Sequence, residues 1–218
     1  MLFLSSLAEK GHQVITTREP GATQTGKKIR SILLDPENSD ISPVCELMLY
    51  GADRAQHISE VILPALKEKK TVLCDRFADA TAAYQGFARG LDMKLIDNIH
   101  AMIAGGIKDS MIKNPMTRNQ DATVLKPDLT ILFDLDPVIG LERTFRALDN
   151  GERSPRESRF EQEHLDFHDK VRKGYLAIAH NEKERFIVVD ASLSKESILN
   201  QIVSNTRFLQ LATASRSF

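Results

Sequence analysis

Four short aliphatic and β-branched runs, at residues 13–17, 71–75, 129–134 and 186–190, are separated by stretches with helical periodicity. Each is followed by polar or turn residues. Parallel strands need long crossover connections and both faces of their sheet must be covered, so strand-length runs alternating with helices read as a parallel sheet. Helices are expected at about 25–34, 43–69, 92–104, 137–147, 161–181 and 194–209. The predicted fold is α/β, a parallel sheet with helices on both faces. In such sheets ligands gather at the carboxyl ends of the strands.

The chain has 218 residues, 42% hydrophobic and 27% charged, which predicts one domain spanning 1–218 with a substantial core. Lysine plus arginine at 29 against aspartate plus glutamate at 30 leaves no overall field to draw nucleic acid or a membrane surface, so any anion site is local. Cys45 and Cys74 fit neither a disulfide framework nor metal-ligand spacing; a reducing, cytoplasmic setting is expected, and no residue is assigned to a metal. The opening MLFLSSLAEKGHQ has an apolar stretch too short for a membrane span. It reads as the later part of an amphipathic helix, with Leu4, Leu7 and Ala8 on one face and Gly11 as its stop.

Two segments break the alternation. Residues 108–126 are polar, lack a period and contain Pro115, as expected of an inserted surface loop. Residues 148–159 are punctuated by glycine, proline and serine and carry Arg153, Arg156 and Arg159. A solvated loop would have that composition. So would a lid that brings guanidinium groups onto a polyphosphate, where bidentate hydrogen bonding favours arginine.

Gly21 to Lys28 read GATQTGKK, which meets the glycine and lysine positions of the phosphate-loop pattern G-x-x-x-x-G-K-[ST]. The last position is Lys28, which cannot supply the hydroxyl that holds magnesium. Tyr50 and Arg54 lie one turn apart and share a helix face. Asp75 and Arg76 close the apolar run TVLC and fall at the carboxyl edge of the sheet. A core aromatic beside a surface arginine, and surface charge pairing at a strand end, are the plain alternatives at these positions.

Read in order, TREPGAT (17–23) with Ile29 and Arg30, ELMLYGADRAQH (46–57), DRFADATAAYQG (75–86), KPDLT (126–130), FDLDP (133–137) and FEQEHLDFHDKVRKGYL (160–176) resemble the bacterial thymidylate kinase family. The resemblance implies a P-loop-kinase-like sheet and phosphoryl transfer from ATP to dTMP giving dTDP, with Mg2+ and ATP as co-substrate and a homodimer as the assembly. By carry-over, Arg18, Glu19, Pro20, Arg30, Tyr50, Arg54, Arg76, Thr81, Tyr84 and Gln85 bind the monophosphate. Tyr50 stacks on the base, Arg54 hydrogen-bonds it, Arg76 clamps the phosphate and Tyr84 crowds a ribose 2′-OH. Asp75 and the lid arginines Arg153, Arg156 and Arg159 take the catalytic roles. Ala22 and Ala80 depart from the family's glycine and serine.

Family members open with a strand and a glycine-rich phosphate loop that have no counterpart in these residues. The expectation is a sheet lacking its central first strand, with the strands at Val72 and Ile131 either apart or paired directly, and a chain inactive in this form. A non-catalytic deoxynucleotide-binding remnant, and a generic nucleotide-binding α/β protein using GATQTGKK, are the competing readings.

Overall fold

The computed structural model describes residues 7–8, 11–105 and 124–213. Most of the expected insert at 108–126 therefore lies outside the described residues. Leu7 and Ala8 are helical, and the helix ends as its sequence requires. The Gly11 N–H donates to Ala8 O and the His12 N–H to Leu7 O, with Gly11 at φ +82°, the paired closure that a left-handed residue makes after a helix.

β1 (Val14–Arg18) leads through a loop to α1 (Gln24–Leu34), which Thr23 caps by accepting from the Gly26 N–H. α2 (Pro43–His57) starts with proline at its first turn and Ser42 as cap. The sequence predicts one helix over 43–69. The structure has α2, a π-helical segment Ile58–Ile62 and α3 (Leu63–Lys67). Pro64 explains the change, because it has no N–H to offer a carbonyl four residues back, and the Leu63 N–H already reaches five residues back to Ile58 O. β2 (Thr71–Asp75) follows, then α4 (Ala78–Thr81), a second π-helical segment Ala82–Ala88, and α5 (Met93–Gly105). After the undescribed stretch come β3 (Thr130–Asp134), α6 (Pro137–Asp149), two 3-10 turns at Pro155–Glu157 and Phe160–Gln162, α7 (Leu165–Asn181) and β4 (Phe186–Asp190). α8 (Lys195–Val203) and α9 (Thr206–Thr213) complete the order.

All four strands pair in parallel, β1 with β2 and β3 with β4. Arg18 stands opposite Asp75, and Asp134 opposite Asp190, so each pair ends on charged residues at its carboxyl edge. Among the described residues β2 and β3 are not hydrogen-bonded neighbours, and the sheet is in two halves. The halves share a core. Val14 and Leu73 from one, and Ile131, Ile187 and Val189 from the other, pack with Leu7, Ile202 and Phe208. A second cluster joins Ile29, Leu33 and Leu34 of α1 to Ala83 and to Phe160, Phe167 and Val171. That cluster seats α7 behind the Ala82–Ala88 segment and fixes the back wall of the site.

Candidate functional site

The Glu19 N–H donates to Asp75 O at 2.9 Å, one residue past the end of β1, and this holds Glu19 at the carboxyl edge beside β2. Facing it is one side of α2, where Glu46, Tyr50, Asp53, Arg54 and His57 recur at helical spacing. Four of these are buried charged or titratable groups. Burying them is costly unless each finds a partner, and the partners sort them into two clusters.

At the β1 end, Glu19 accepts from Arg54 Nε at 2.9 Å and from His57 Nδ1 at 2.9 Å. His57 Nε2 meets Thr17 Oγ1 at 2.7 Å, and Arg54 Nη2 donates to Thr81 Oγ1 at 2.8 Å. Asp53 Oδ1 accepts from the Gly21 N–H at 3.0 Å, while among the described residues its buried Oδ2 has no hydrogen-bond partner. Burial pushes the Asp53 carboxyl above its ordinary value, and the Gly21 N–H pulls the other way. At the other end of the helix Glu46 accepts from Gln85 Nε2 and Arg159 Nη2, both at 2.7 Å, and from Arg89 Nε and Nη2 at 3.3 Å.

Between the clusters lies a cleft lined by Glu19, Tyr50, Arg54, Arg76, Phe77, Ala80, Thr81, Tyr84 and Gln85. Arg76 has φ +68°, a left-handed backbone that non-glycine residues seldom adopt. Its guanidinium carbon sits 4.4 Å from the centre of the Tyr84 ring. Tyr50, Tyr84 and Tyr175, all three tyrosines of the chain, surround this guanidinium. Burial raises the Tyr50 hydroxyl well above the ordinary phenol value, and the same effect takes Tyr175 up to about 12, with the Arg76 charge opposing both. Tyr84 is held edge-on to Phe160, with ring centres 5.3 Å apart. The cleft thus offers a fixed cation beside aromatic faces, and amide and hydroxyl groups deeper in. Such a surface suits a planar ring carrying an anionic tail.

The thymidylate kinase family model matches residues 1–112 and 110–202. The chain belongs to the thymidylate kinase family. It is 57% identical over 198 residues to the thymidylate kinase of Desulforapulum autotrophicum, covering 91% of this chain and 79% of that one. It is 50% identical over 185 residues to that of Desulfosudis oleivorans, covering 85% and 78%. Among solved structures, thymidylate kinase from Ehrlichia chaffeensis aligns with a TM-score of 0.60 at 26% identity, covering 88% of this chain and 78% of that one. These are nucleoside monophosphate kinases of α/β fold, and the parallel strands and flanking helices of this chain accord with that family.

Of the residues that the family resemblance singled out, Glu19, Tyr50, Arg54, Arg76, Thr81, Tyr84 and Gln85 meet in the cleft. Arg18 is exposed at the end of β1, and Asp75 is exposed opposite it. Pro20 is buried behind the cleft and gives its carbonyl to Arg30 Nη1 at 3.1 Å. Arg30 spends its remaining donors on Glu157, in a pair at 2.7 Å, and so ties the loop after β1 to the turn at Pro155–Glu157. The three lid arginines have three different surroundings. Arg156 is exposed. Arg153 pairs with Glu161 at 2.6 Å. Arg159 is buried, bound to Glu46 and to the carbonyls of Leu33 and Leu34 that end α1, which places it apart from the other two.

GATQTGKK takes a shape unlike a phosphate cradle. The Gly21 N–H is bound to Asp53 and the Gly26 N–H to Thr23 Oγ1. α1 begins at Gln24, and a Cβ on Gly26 would lie 2.4 Å from Asp53 Oδ1. Gly26 is therefore there for close packing against α2, and Lys27 and Lys28 are exposed near the start of α1.

Glu46, Asp53, His57, Arg89 and Phe77 are the site-building residues that sequence reasoning passed over. A signal was present: polar residues at 46, 50, 53, 54 and 57 form one helical stripe, and a polar stripe on a helix flanked by apolar runs marks a buried network. Among the described residues no helix is long and apolar enough to cross a membrane, and no group of three or more His, Cys, Asp or Glu is placed to hold a metal ion.

Proposed function

We propose that the cleft binds dTMP and that the chain presents it for phosphoryl transfer from ATP, giving dTDP and ADP. The observation that carries this reading is the convergence of Tyr50, Arg54, Arg76, Thr81, Tyr84 and Gln85, drawn from α2, the end of β2, α4 and the Ala82–Ala88 segment, on one cleft. In the reaction a phosphate oxygen of dTMP attacks the γ-phosphorus of ATP and the bond to the β,γ-bridging oxygen breaks. The transition state spreads negative charge over equatorial oxygens, so the protein's task is positioning and neutralisation. Arg76, anchored over Tyr84, holds the acceptor phosphate. Tyr50 faces the base, and Tyr84 stands where a 2′-OH would crowd it. Arg153 and Arg156 are the lid cations on the donor side.

Magnesium bound with the phosphates would supply charge neutralisation, and one or two protein carboxylates would be enough to hold it. The exposed carboxylate of Asp75, at the strand end beside Arg76, fits that demand. A homodimer is part of the same proposal. Exposed Ile32, Val44, Met48 and Met102 on α1, α2 and α5 are the apolar surface that supports it.

Calorimetry with dTMP and UMP tests the acceptor site: binding that favours dTMP is expected, and equal affinity or none for either counts against the reading. Arg76→Ala is expected to weaken dTMP by about 1.5–3 kcal/mol, the range of a charge-assisted hydrogen bond, or roughly 10- to 150-fold in Kd.

The rival use of GATQTGKK predicts a different outcome. Its glycine N–H groups are already committed within the protein, so Lys27→Ala is expected to leave ATP binding and ADP release within about twofold of the parent, as for an exposed substitution away from a site. Loss of ATP binding in that variant would reinstate the phosphate-loop reading.

A further inference from the structure

Gln85 is buried at the floor of the cleft and its side-chain amide has two unlike ends. A carboxylate can only accept hydrogen bonds, so Glu46 Oε1, 2.7 Å from the amide, takes the Nε2 end. That leaves Oε1 as the group that Gln85 turns to the cleft. Glu46 cannot rotate to offer anything else, because Arg159 Nη2 and Arg89 Nη2 are bound to its second oxygen and Arg89 Nε also reaches the first. Glu46, Gln85 and Arg159 are all buried, and an amide held the wrong way round would bury an unpaired donor.

From this we infer that Glu46, which lines no part of the cleft, is a positioning residue that sets which pyrimidine the site accepts. The inference rests on the proposed nucleotide reading. With Oε1 facing inward, Gln85 is an acceptor that matches a ring whose N3 carries a proton, as in thymine. It opposes cytosine, whose N3 is itself an acceptor. The carboxylate thus converts a side chain of two possible orientations into one with fixed polarity.

Glu46→Gln makes the test sharp. Two guanidinium donors, Arg159 Nη2 at 2.7 Å and Arg89 Nη2 at 3.3 Å, meet the second oxygen, against Arg89 Nε alone at 3.3 Å on the first, so the new amide places its oxygen at the second position and its NH2 towards Gln85. Gln85 then turns its own oxygen to meet that NH2 and presents Nε2 to the cleft. The preference for dTMP over dCMP, measured by calorimetry on the full chain, should fall by about tenfold, the scale of one hydrogen bond made or opposed. The exchanged pair, Glu46→Gln with Gln85→Glu, restores an acceptor facing the cleft and should restore the preference. A purely structural role for Glu46 would lower stability and weaken both nucleotides alike, leaving their ratio unchanged in E46Q; that result overturns the inference.

Should E46Q prove too unstable for calorimetry, the parent protein supplies a second measurement. The Gln85 side-chain NH2 signals, assigned by their loss in Gln85→Leu, should keep their shifts when dTMP is added, since they face Glu46 and not the ligand. A large movement on binding would overturn the orientation. If the parent binds dTMP in preference to dCMP while E46Q keeps the same ratio, only the role of Glu46 falls. If the parent binds neither nucleotide, the functional reading falls and this inference with it.

Discussion

Glu19→Ala is expected to cost about 3–5 kcal/mol of folding stability, the range seen when one partner of a buried ion pair is removed. Arg54 and Glu19 are each 3% exposed and His57 is fully buried, so water cannot replace the lost carboxylate. Two donors are orphaned at once, Arg54 Nε and His57 Nδ1, and the guanidinium remains charged in a site without its counter-ion. The desolvation penalty is then uncompensated, which is why the loss exceeds the net worth of any one hydrogen bond. Urea denaturation followed by circular dichroism should show the midpoint falling by roughly 1–3 M, given typical slopes for small proteins. Arg18→Ala, one residue away but exposed, should stay within about 0.5 kcal/mol of the parent. A Glu19→Ala loss below about 1 kcal/mol would mean that Arg54 finds another acceptor, and the clustering described for α2 would need revision.

A comparable loss is expected for Arg159→Ala, again about 3–5 kcal/mol. The variant strips Glu46, whose side chain is fully buried, of its shortest ionic contact and leaves Leu33 O at the end of α1 without its Arg159 Nε donor, while the backbone N–H at 159 still reaches Leu34 O. The guanidinium carbon also sits 4.4 Å from the Phe160 ring centre, so packing is lost with the charge. Arg156→Ala differs in kind. Its side chain is exposed, so stability should stay within about 0.5 kcal/mol and any effect should appear in phosphoryl transfer alone. Thermal melting of both variants, alongside a coupled assay for ADP release, separates a brace from a donor-side cation. Equal melting temperatures for the two would show that Arg159 carries no structural load.

Strand positions were legible almost to the residue. The runs at 71–75 and 186–190 coincide with β2 and β4, and the others start one residue late, because β-branched runs closed by charge have few other ways to be buried. The interruption of the helix at 58–62 was not visible, since Pro64 lies in a stretch whose apolar spacing continues across it. In the site, motif matching found most of the residues that line the cleft, missing Phe77, but passed over Glu46, Asp53, His57 and Arg89 in the networks behind it. Tyr50 and Arg54 stood out by type and spacing. Glu46 and His57, on the same helix, looked like ordinary surface polarity until their partners at 19, 85, 89 and 159 were in place. The lid arginines illustrate the same limit, since nothing local separates Arg159 from Arg153 and Arg156. Its burial depends on a carboxylate 113 residues earlier in the chain.

That separation also bears on the order in which the protein is made. Every residue lining the cleft lies between Glu19 and Gln85, and so leaves the ribosome well before the segment that encloses it. At about 5–20 residues per second, the stretch from Arg89 to Arg159 takes on the order of 4–14 s to synthesise. Through that interval Ile29, Leu33, Leu34 and Ala83 have no Phe160, Phe167 or Val171 to pack against, and Glu46 has no Arg159. The nascent first half therefore exposes an apolar face and an incompletely neutralised carboxylate, a state suited to chaperone capture and poorly suited to ligand. Fragments that stop at α5 would be frozen in it, so a minimal nucleotide-binding version of this chain has to extend through α7, whose Phe167 and Tyr175 brace Tyr84 from behind although no residue of that helix lines the cleft itself.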